Sequence, residues 1–169
     1  MNTMEALLTR RSIRRYQDRP VPSEVVRDVL SAAMHAPSAD NEQPWQFVVI
    51  DERRLLDAIP GIHPWAQMST AAPLAILVCG DSRLVQNPGF WAQDCAAATE
   101  NLLLAAWEQG VGSVWCGVHS DAALERAFRK LLGLPEQVVP FALVVLGYPA
   151  GPPPRVERFQ EDRVHRNGW

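Results

Sequence analysis

Leu74-Ala75-Ile76-Leu77-Val78-Cys79 carries no polar side chain. A little further on, Phe90-Trp91-Ala92-Gln93-Asp94-Cys95-Ala96-Ala97-Ala98-Thr99-Glu100-Asn101-Leu102-Leu103-Leu104-Ala105-Ala106-Trp107-Glu108-Gln109 forms the longest helical pattern in the chain. A short unbroken apolar run bounded by turn residues reads as a strand buried on both faces. The longer stretch reads as a helix stopped by Gly110, the residue type best suited to follow a last helical turn. This helix has little polar face, and a helix that is apolar nearly all round is buried on all sides. In a chain of 169 residues a second subunit covers such a helix more easily than the chain itself does, which points to a dimer.

Working outward, residues 3–9 read as a short helix. A second helix begins at Pro22-Ser23, with Ser23 as its N-cap, continues through Val25, Val26, Val29, Leu30 and Ala33, and is stopped by Pro37. Residues 46–50 alternate too little for a surface strand and are expected to be a buried one. Residues 52–59 are expected to be helical, ended by Pro60-Gly61, and residues 60–73 to form a loop carrying His63, Trp65 and Met68. Residues 113–116 and 139–146 read as further strands. Between them Asp121 caps a helix that runs to Leu132, with Gly133 after its end. Helices and buried strands mixed over one length of chain imply a sheet covered by helices. Beyond Tyr148 the composition changes: Pro149, Pro152, Pro153 and Pro154 lead into a polar, basic tail that ends in Trp169. That tail has no core of its own and is expected to wrap a partner.

The bulk numbers fit one domain with a real core. Apolar residues make up 47% and charged residues 21% of the chain, and the formal net charge is −3. That charge argues against bulk electrostatic binding to nucleic acid. No apolar run reaches the roughly 18 residues of a membrane span, and Glu5 and Arg10 interrupt any secretory h-region. The three cysteines, Cys79, Cys95 and Cys116, form no CxxC pair and sit among apolar neighbours. They read as buried free thiols in a reducing, cytoplasmic setting. His35, His63, His119 and His165 have no metal-ligand spacing. No nucleophile–base–orienter set can be assembled, so no catalytic side chain is named.

Three segments carry chemistry. Arg10-Arg11-Ser12-Ile13-Arg14-Arg15-Tyr16 gathers planar, permanently charged forks around the Ser12 hydroxyl, a suitable grip for a phosphate ester. The bland alternative is a solvated basic turn. Ala36-Pro37-Ser38-Ala39-Asp40-Asn41-Glu42-Gln43-Pro44-Trp45 offers donors and acceptors at Ser38, Asn41 and Gln43 that can read the edge of a heteroaromatic ring. As a plain surface loop it needs no explanation. Trp115-Cys116-Gly117 ends a strand at a glycine that permits close backbone approach; it is otherwise a strand turning into a loop. A phosphate grip followed by a ring-reading loop suggests a nucleotide-like cofactor.

Taken in order, these segments resemble the short members of the FMN-dependent nitroreductase family. The helix from Asp94 to Gly110, the Gly147-Tyr148-Pro149 turn and the tail Arg158-Phe159-Gln160-Glu161-Asp162-Arg163-Val164-His165 ending in Trp169 carry the same resemblance. It implies an α+β fold with a central mixed or antiparallel sheet flanked by helices. It also implies an interlocked homodimer holding two FMN molecules at the subunit interface. Residues 1–147 are then the core, and residues 148–169 an arm reaching the partner. Carried over, Arg10, Ser12 and Arg14 hold the FMN phosphate and ribityl chain, and Arg11 contacts phosphate or flavin. Pro37, Ser38 and Asn41 come from the other subunit, with Gln43 supporting their loop. Trp115, Cys116 and Gly117 lie over the flavin, with a backbone N–H of Cys116 or Gly117 facing N5. Arg158 is the late phosphate-binding arginine, with Arg155 and Arg163 as rivals. Trp65, Met68 and Phe90 are candidates for lining the pocket.

The implied activity is hydride transfer from NADH or NADPH through flavin N5 to an oxidised small molecule such as a nitroaromatic, quinone or enone, in ping-pong order. A flavin carrier or sensor with little turnover is the alternative.

Overall fold

The computed structural model describes residues 2–154 and 156–169. Strand β2 (Leu74–Asp81) is buried along its whole length, as the unbroken apolar run predicts. Strands β1 (Trp45–Ile50), β3 (Gly112–Gly117) and β4 (Val138–Gly147) complete a four-stranded sheet in the order β1-β2-β4-β3. Every pairing in it is antiparallel. Outside the sheet, isolated bridges join Ser12 to Ser113 in the parallel sense and Tyr16 to Pro149 in the antiparallel sense, which ties the arginine-rich segment to the start of β3 and to the chain just after β4.

Helices cover both faces of the sheet: α1 (Thr3–Thr9), α2 (Ser23–Met34), α3 (Arg53–Ala58), α4 (Trp91–Glu108) and α5 (Ala122–Leu132). Side chains alternate across a strand, so β2 supplies two cores. Ile76 and Val78 pack with Val29, Ala98 and Leu102 of α2 and α4. Leu77 and Cys79 pack with Leu56 and Phe128 of α3 and α5. Each fully buried aliphatic side chain contributes about 1.5–3 kcal/mol. A strand with an apolar core on both sides has no reason to alternate, which is why its sequence does not.

The helix ends follow local chemistry. Asp121 accepts the N–H groups of Ala123 and Leu124 at the start of α5, and Gly133 closes the helix in the left-handed region at φ 64°. Gly110 does the same after α4 at φ 76°. At α2 the expectation is corrected. Pro22 occupies the cap with extended backbone, and Ser23 is already the first helical residue, with no side-chain cap bond at that end. The fixed φ of proline sets the chain entry there, leaving no cap role for the serine.

Two further expectations change. β1 pairs only with β2, so it is an edge strand; Gln46 and Val49 are exposed, and Phe47 and Val48 only half-buried. Helix α4 is not buried on all sides within one chain. It buries Cys95, Ala98, Leu102, Leu103 and Ala106 but leaves Ala97, Asn101, Leu104 and Ala105 half open. Residues 151–154 and 156–169 are exposed almost throughout. Phe159 and Trp169 are exposed, and Trp169 stacks on His165, with ring centroids 4.2 Å apart.

Candidate functional site

Residues 11–16 meet the sheet through isolated bridges at their two ends, Ser12 to Ser113 of β3 and Tyr16 to Pro149. The Ile13 N–H donates to the Ser113 carbonyl at 2.9 Å, and the Ile13 side chain fills the space that a Cβ at Gly112 would need. Two-residue periodicity then turns the neighbours of Ile13 outward: Ser12 and Arg14 are exposed while Ile13 is buried. Tyr16 pins the far end of the segment, its hydroxyl 2.7 Å from the Ile13 carbonyl and 3.1 Å from that of Val145. Burial pushes its phenol above the usual tyrosine range, so that hydroxyl stays protonated and donates.

The outward side chains open on a cavity of about 570 Å³ bounded by Arg11, Ser12, Arg14, Arg15, Pro152 and Arg158. Arg10 is not on this cavity. Its guanidinium lies 3.1 Å from Glu100 of α4, so helix and arginine segment are tied by charge. Arg11 is held by backbone carbonyls, donating to Arg10 at 2.6 Å, Leu8 at 3.1 Å and Val156 at 3.4 Å, while its Nε is buried without a partner. Among the described residues, no carboxylate pairs with Arg11, Arg14 or Arg158. Several uncompensated guanidinium groups therefore share one cavity, an anion-seeking arrangement. Arg163 does not line it, and Arg155 lies outside the described residues.

The second segment is a strained loop. Asp40, Asn41 and Gln43 take left-handed φ values of 48°, 57° and 50°, a region costly for side chains other than glycine. Local bonds hold it there. The Gln43 N–H donates to Ser38 Oγ at 3.0 Å, and the Gln43 amide donates to Asn41 Oδ1 at 2.8 Å. Glu42 accepts the N–H groups of Gln86 and Asn87 at 3.0 and 2.9 Å. Asp94, buried in the first turn of α4, accepts the Ala39 N–H at 3.0 Å. None of Pro37, Ser38, Asn41 or Gln43 lines the arginine cavity of its own chain.

The third segment is the far end of β3. Trp115 packs edge-on against Phe141 at 5.7 Å. Cys116 faces the opposite core and donates its thiol toward the Trp65 carbonyl at 3.8 Å. Burial pushes that thiol pKa up, and the Arg14 charge opposes the shift. The Gly117 carbonyl accepts from His63 Nε2 at 2.9 Å. A carbonyl can only accept, so this bond fixes the proton of His63 on Nε2. Gly117 itself is exposed, and a Cβ built on it would meet nothing within 4 Å. From Ser113, bridged to Ser12, to Gly117 the strand covers about 13 Å at roughly 3.3 Å per residue. The structure thus joins Arg11, Ser12, Arg14 and Arg158 at one end of β3 to Trp115, Cys116 and Gly117 at the other, and leaves the loop of residues 37–43 apart.

Sequence reasoning missed Asp94, Glu42, Glu100 and the role of His63. A carboxylate inside an apolar helix, as at 94 and 100, is the signal that was there to read. Among the described residues, no helix is long and apolar enough to cross a membrane.

Residues 7–148 match the family model described as Nitroreductase family. A protein of Methanothermobacter thermautotrophicus, provisionally named NADH dehydrogenase/NAD(P)H nitroreductase, is 48% identical over 169 residues, covering 100% of this chain and 88% of its own length. A crystal structure from Parabacteroides distasonis with the same provisional name is similar at a TM-score of 0.95 and 37% identity, covering 100% of both chains. A provisionally described nitroreductase of Desulfovibrio desulfuricans, crystallised in complex with FMN, gives a TM-score of 0.87 at 31% identity, covering 100% of this chain and 98% of the other.

Proposed function

The chain belongs to the nitroreductase family, and on that basis we propose that it holds FMN along β3, phosphate toward the arginine cavity and ring toward Gly117. It is an NAD(P)H-dependent oxidoreductase. FMN, when bound, would supply the redox chemistry between NADH or NADPH and an oxidised acceptor. The residues suit that cofactor. Arg11 Nε is a buried donor without a partner, and the space over Gly117 is open.

The forks of Arg11, Arg14 and Arg158 match phosphate oxygens, and the Ser12 hydroxyl adds a donor. Arg10, paired with Glu100, fixes the segment against α4. A backbone N–H of Cys116 or Gly117 would face the reacting edge of the ring, at N5. A second copy of the chain supplies Pro37, Ser38 and Asn41, with Gln43 bracing Asn41. The separation of that loop from the arginine cavity of its own chain supports this division. The half-open strip of α4 is the matching subunit face, and residues 148–169 reach across it. The acceptor is an oxidised small molecule such as a nitroaromatic, quinone or enone.

The observation that carries this reading is the cavity of uncompensated arginines joined by one strand to an open glycine. The test is the visible spectrum of the purified protein before and after anaerobic NADH or NADPH. A flavin spectrum that bleaches supports the oxidoreductase. A flavin that neither nucleotide bleaches favours a carrier. No flavin after incubation with FMN overturns the proposal.

A further inference from the structure

Trp65 is 79% exposed, an unusual position for so large an apolar surface, and the turn that carries it is not loose. His63, 1% exposed, and Ala66, fully buried, anchor its two ends, and the Ala66 N–H donates to the His63 carbonyl at 3.0 Å. Both ties of this turn to the sheet land on the same strand end. His63 donates to the Gly117 carbonyl, and Cys116 donates to the carbonyl of Trp65 itself. His63 is wedged edge-on against Phe128 at 6.2 Å, and Pro64 restricts the backbone just before the tryptophan. The turn therefore presents one indole, with its backbone immobilised, beside the Cys116–Gly117 segment.

We infer that Trp65 is a specificity-determining wall of the acceptor site, selecting planar conjugated acceptors by stacking. The inference rests on the proposed placement of the flavin ring at Gly117. Aromatic faces prefer offset or edge contacts with other π-systems. A wall held rigid in the free protein loses little entropy when the acceptor arrives. An acceptor without a flat face gains nothing from it, so the preference is for shape and π-surface rather than for redox potential.

The test uses the FMN-loaded protein and Trp65→Ala and Trp65→Phe. Trp65 is exposed, so neither variant removes core packing. In Trp65→Ala, the ratio of KM for 1,4-naphthoquinone to KM for ferricyanide, an acceptor without a flat conjugated face, is expected to rise about 3- to 10-fold. Trp65→Phe is expected to restore most of the difference. Independently of turnover, the Kd of 2-naphthoate, a planar ligand that is not reduced, is expected to rise by the same factor in calorimetry. An unchanged KM ratio and Kd in Trp65→Ala, with flavin and bleaching intact, would overturn this inference alone. Loss of the dimer in Trp65→Ala would also overturn it, by placing Trp65 in a subunit contact. A wild-type protein without flavin would overturn it together with the proposed function.

Discussion

Asp94 on α4 and Ala39 in the strained loop are joined by a single hydrogen bond, the Ala39 N–H donating to Asp94 Oδ1 at 3.0 Å. The carboxylate is 6% exposed and its second oxygen has no partner. An apolar helix therefore keeps a buried acid to fix a loop that would otherwise relax from its left-handed conformations. Asp94→Ala leaves the Ala39 N–H unpaired and is expected to cost about 1–3 kcal/mol, or roughly 2–4 °C of Tm per kcal/mol in a domain of this size. Asp94→Asn keeps the accepting oxygen and is expected to recover most of the loss. Thermal unfolding of both variants checks this.

The arginines are expected to separate by function. Arg14 and Arg158 line the cavity, so Arg14→Ala or Arg158→Ala should weaken FMN binding by about 2 kcal/mol, roughly 30-fold. Arg163, which does not line it, should leave the affinity unchanged when replaced by alanine. Equilibrium dialysis in dilute protein measures all three. An unaltered Kd in Arg14→Ala would remove the phosphate role from that residue.

The glycines along β3 offer a contrast. A Cβ at Gly112 would come within 2.7 Å of the Ile13 side chain, so Gly112→Ala is expected to destabilise the fold by about 1–3 kcal/mol through overpacking. A Cβ at Gly117 meets nothing in this chain. Gly117→Val should therefore unfold near the wild-type Tm as apoprotein, yet bind FMN at least about 10-fold more weakly. Melting curves and flavin titration read the two effects separately.

The buried thiols make a prediction at alkaline pH. Burial is the main cause that pushes Cys79 and Cys95 from 9.0 up to about 12. A group whose pKa is raised by folding favours the folded state below its unfolded value, and that stability is lost as pH rises. Tm is therefore expected to fall progressively as pH rises from 9 toward 12, and less steeply in the Cys79→Ala, Cys95→Ala double variant. At pH 8 neither thiol should react with a thiol reagent until the protein unfolds.

The half-open strip of α4 predicts the assembly. Leu104 lies on that strip, partly exposed in the single chain. Leu104→Glu places a charge where the proposed second subunit packs. Sedimentation is expected to give twice the chain mass for the wild type and the single-chain mass for the variant.

Much of the fold could be read locally, because its signals are local. The apolar run at 74–79, the cap at Asp121 and the glycine stops at 110 and 133 each act within a few residues. The nitroreductase-like α+β class followed instead from the resemblance of the ordered motifs around Arg10, Ser38 and Trp115 to that family. What the tertiary structure decided depends on neighbours distant in sequence. The antiparallel order of the strands made β1 an edge and exposed residues that the sequence suggested were buried. Glu100, ninety positions from Arg10, pairs with that guanidinium, while Arg11, Arg14, Arg15 and Arg158 line the cavity. Asp94 reached back to Ala39, and His63 to Gly117. A chain's own letters record which side chains are charged, rigid or apolar. Which charges are compensated, and which glycines face open space, is settled only when segments far apart are brought within a few ångströms, where electrostatics and excluded volume act.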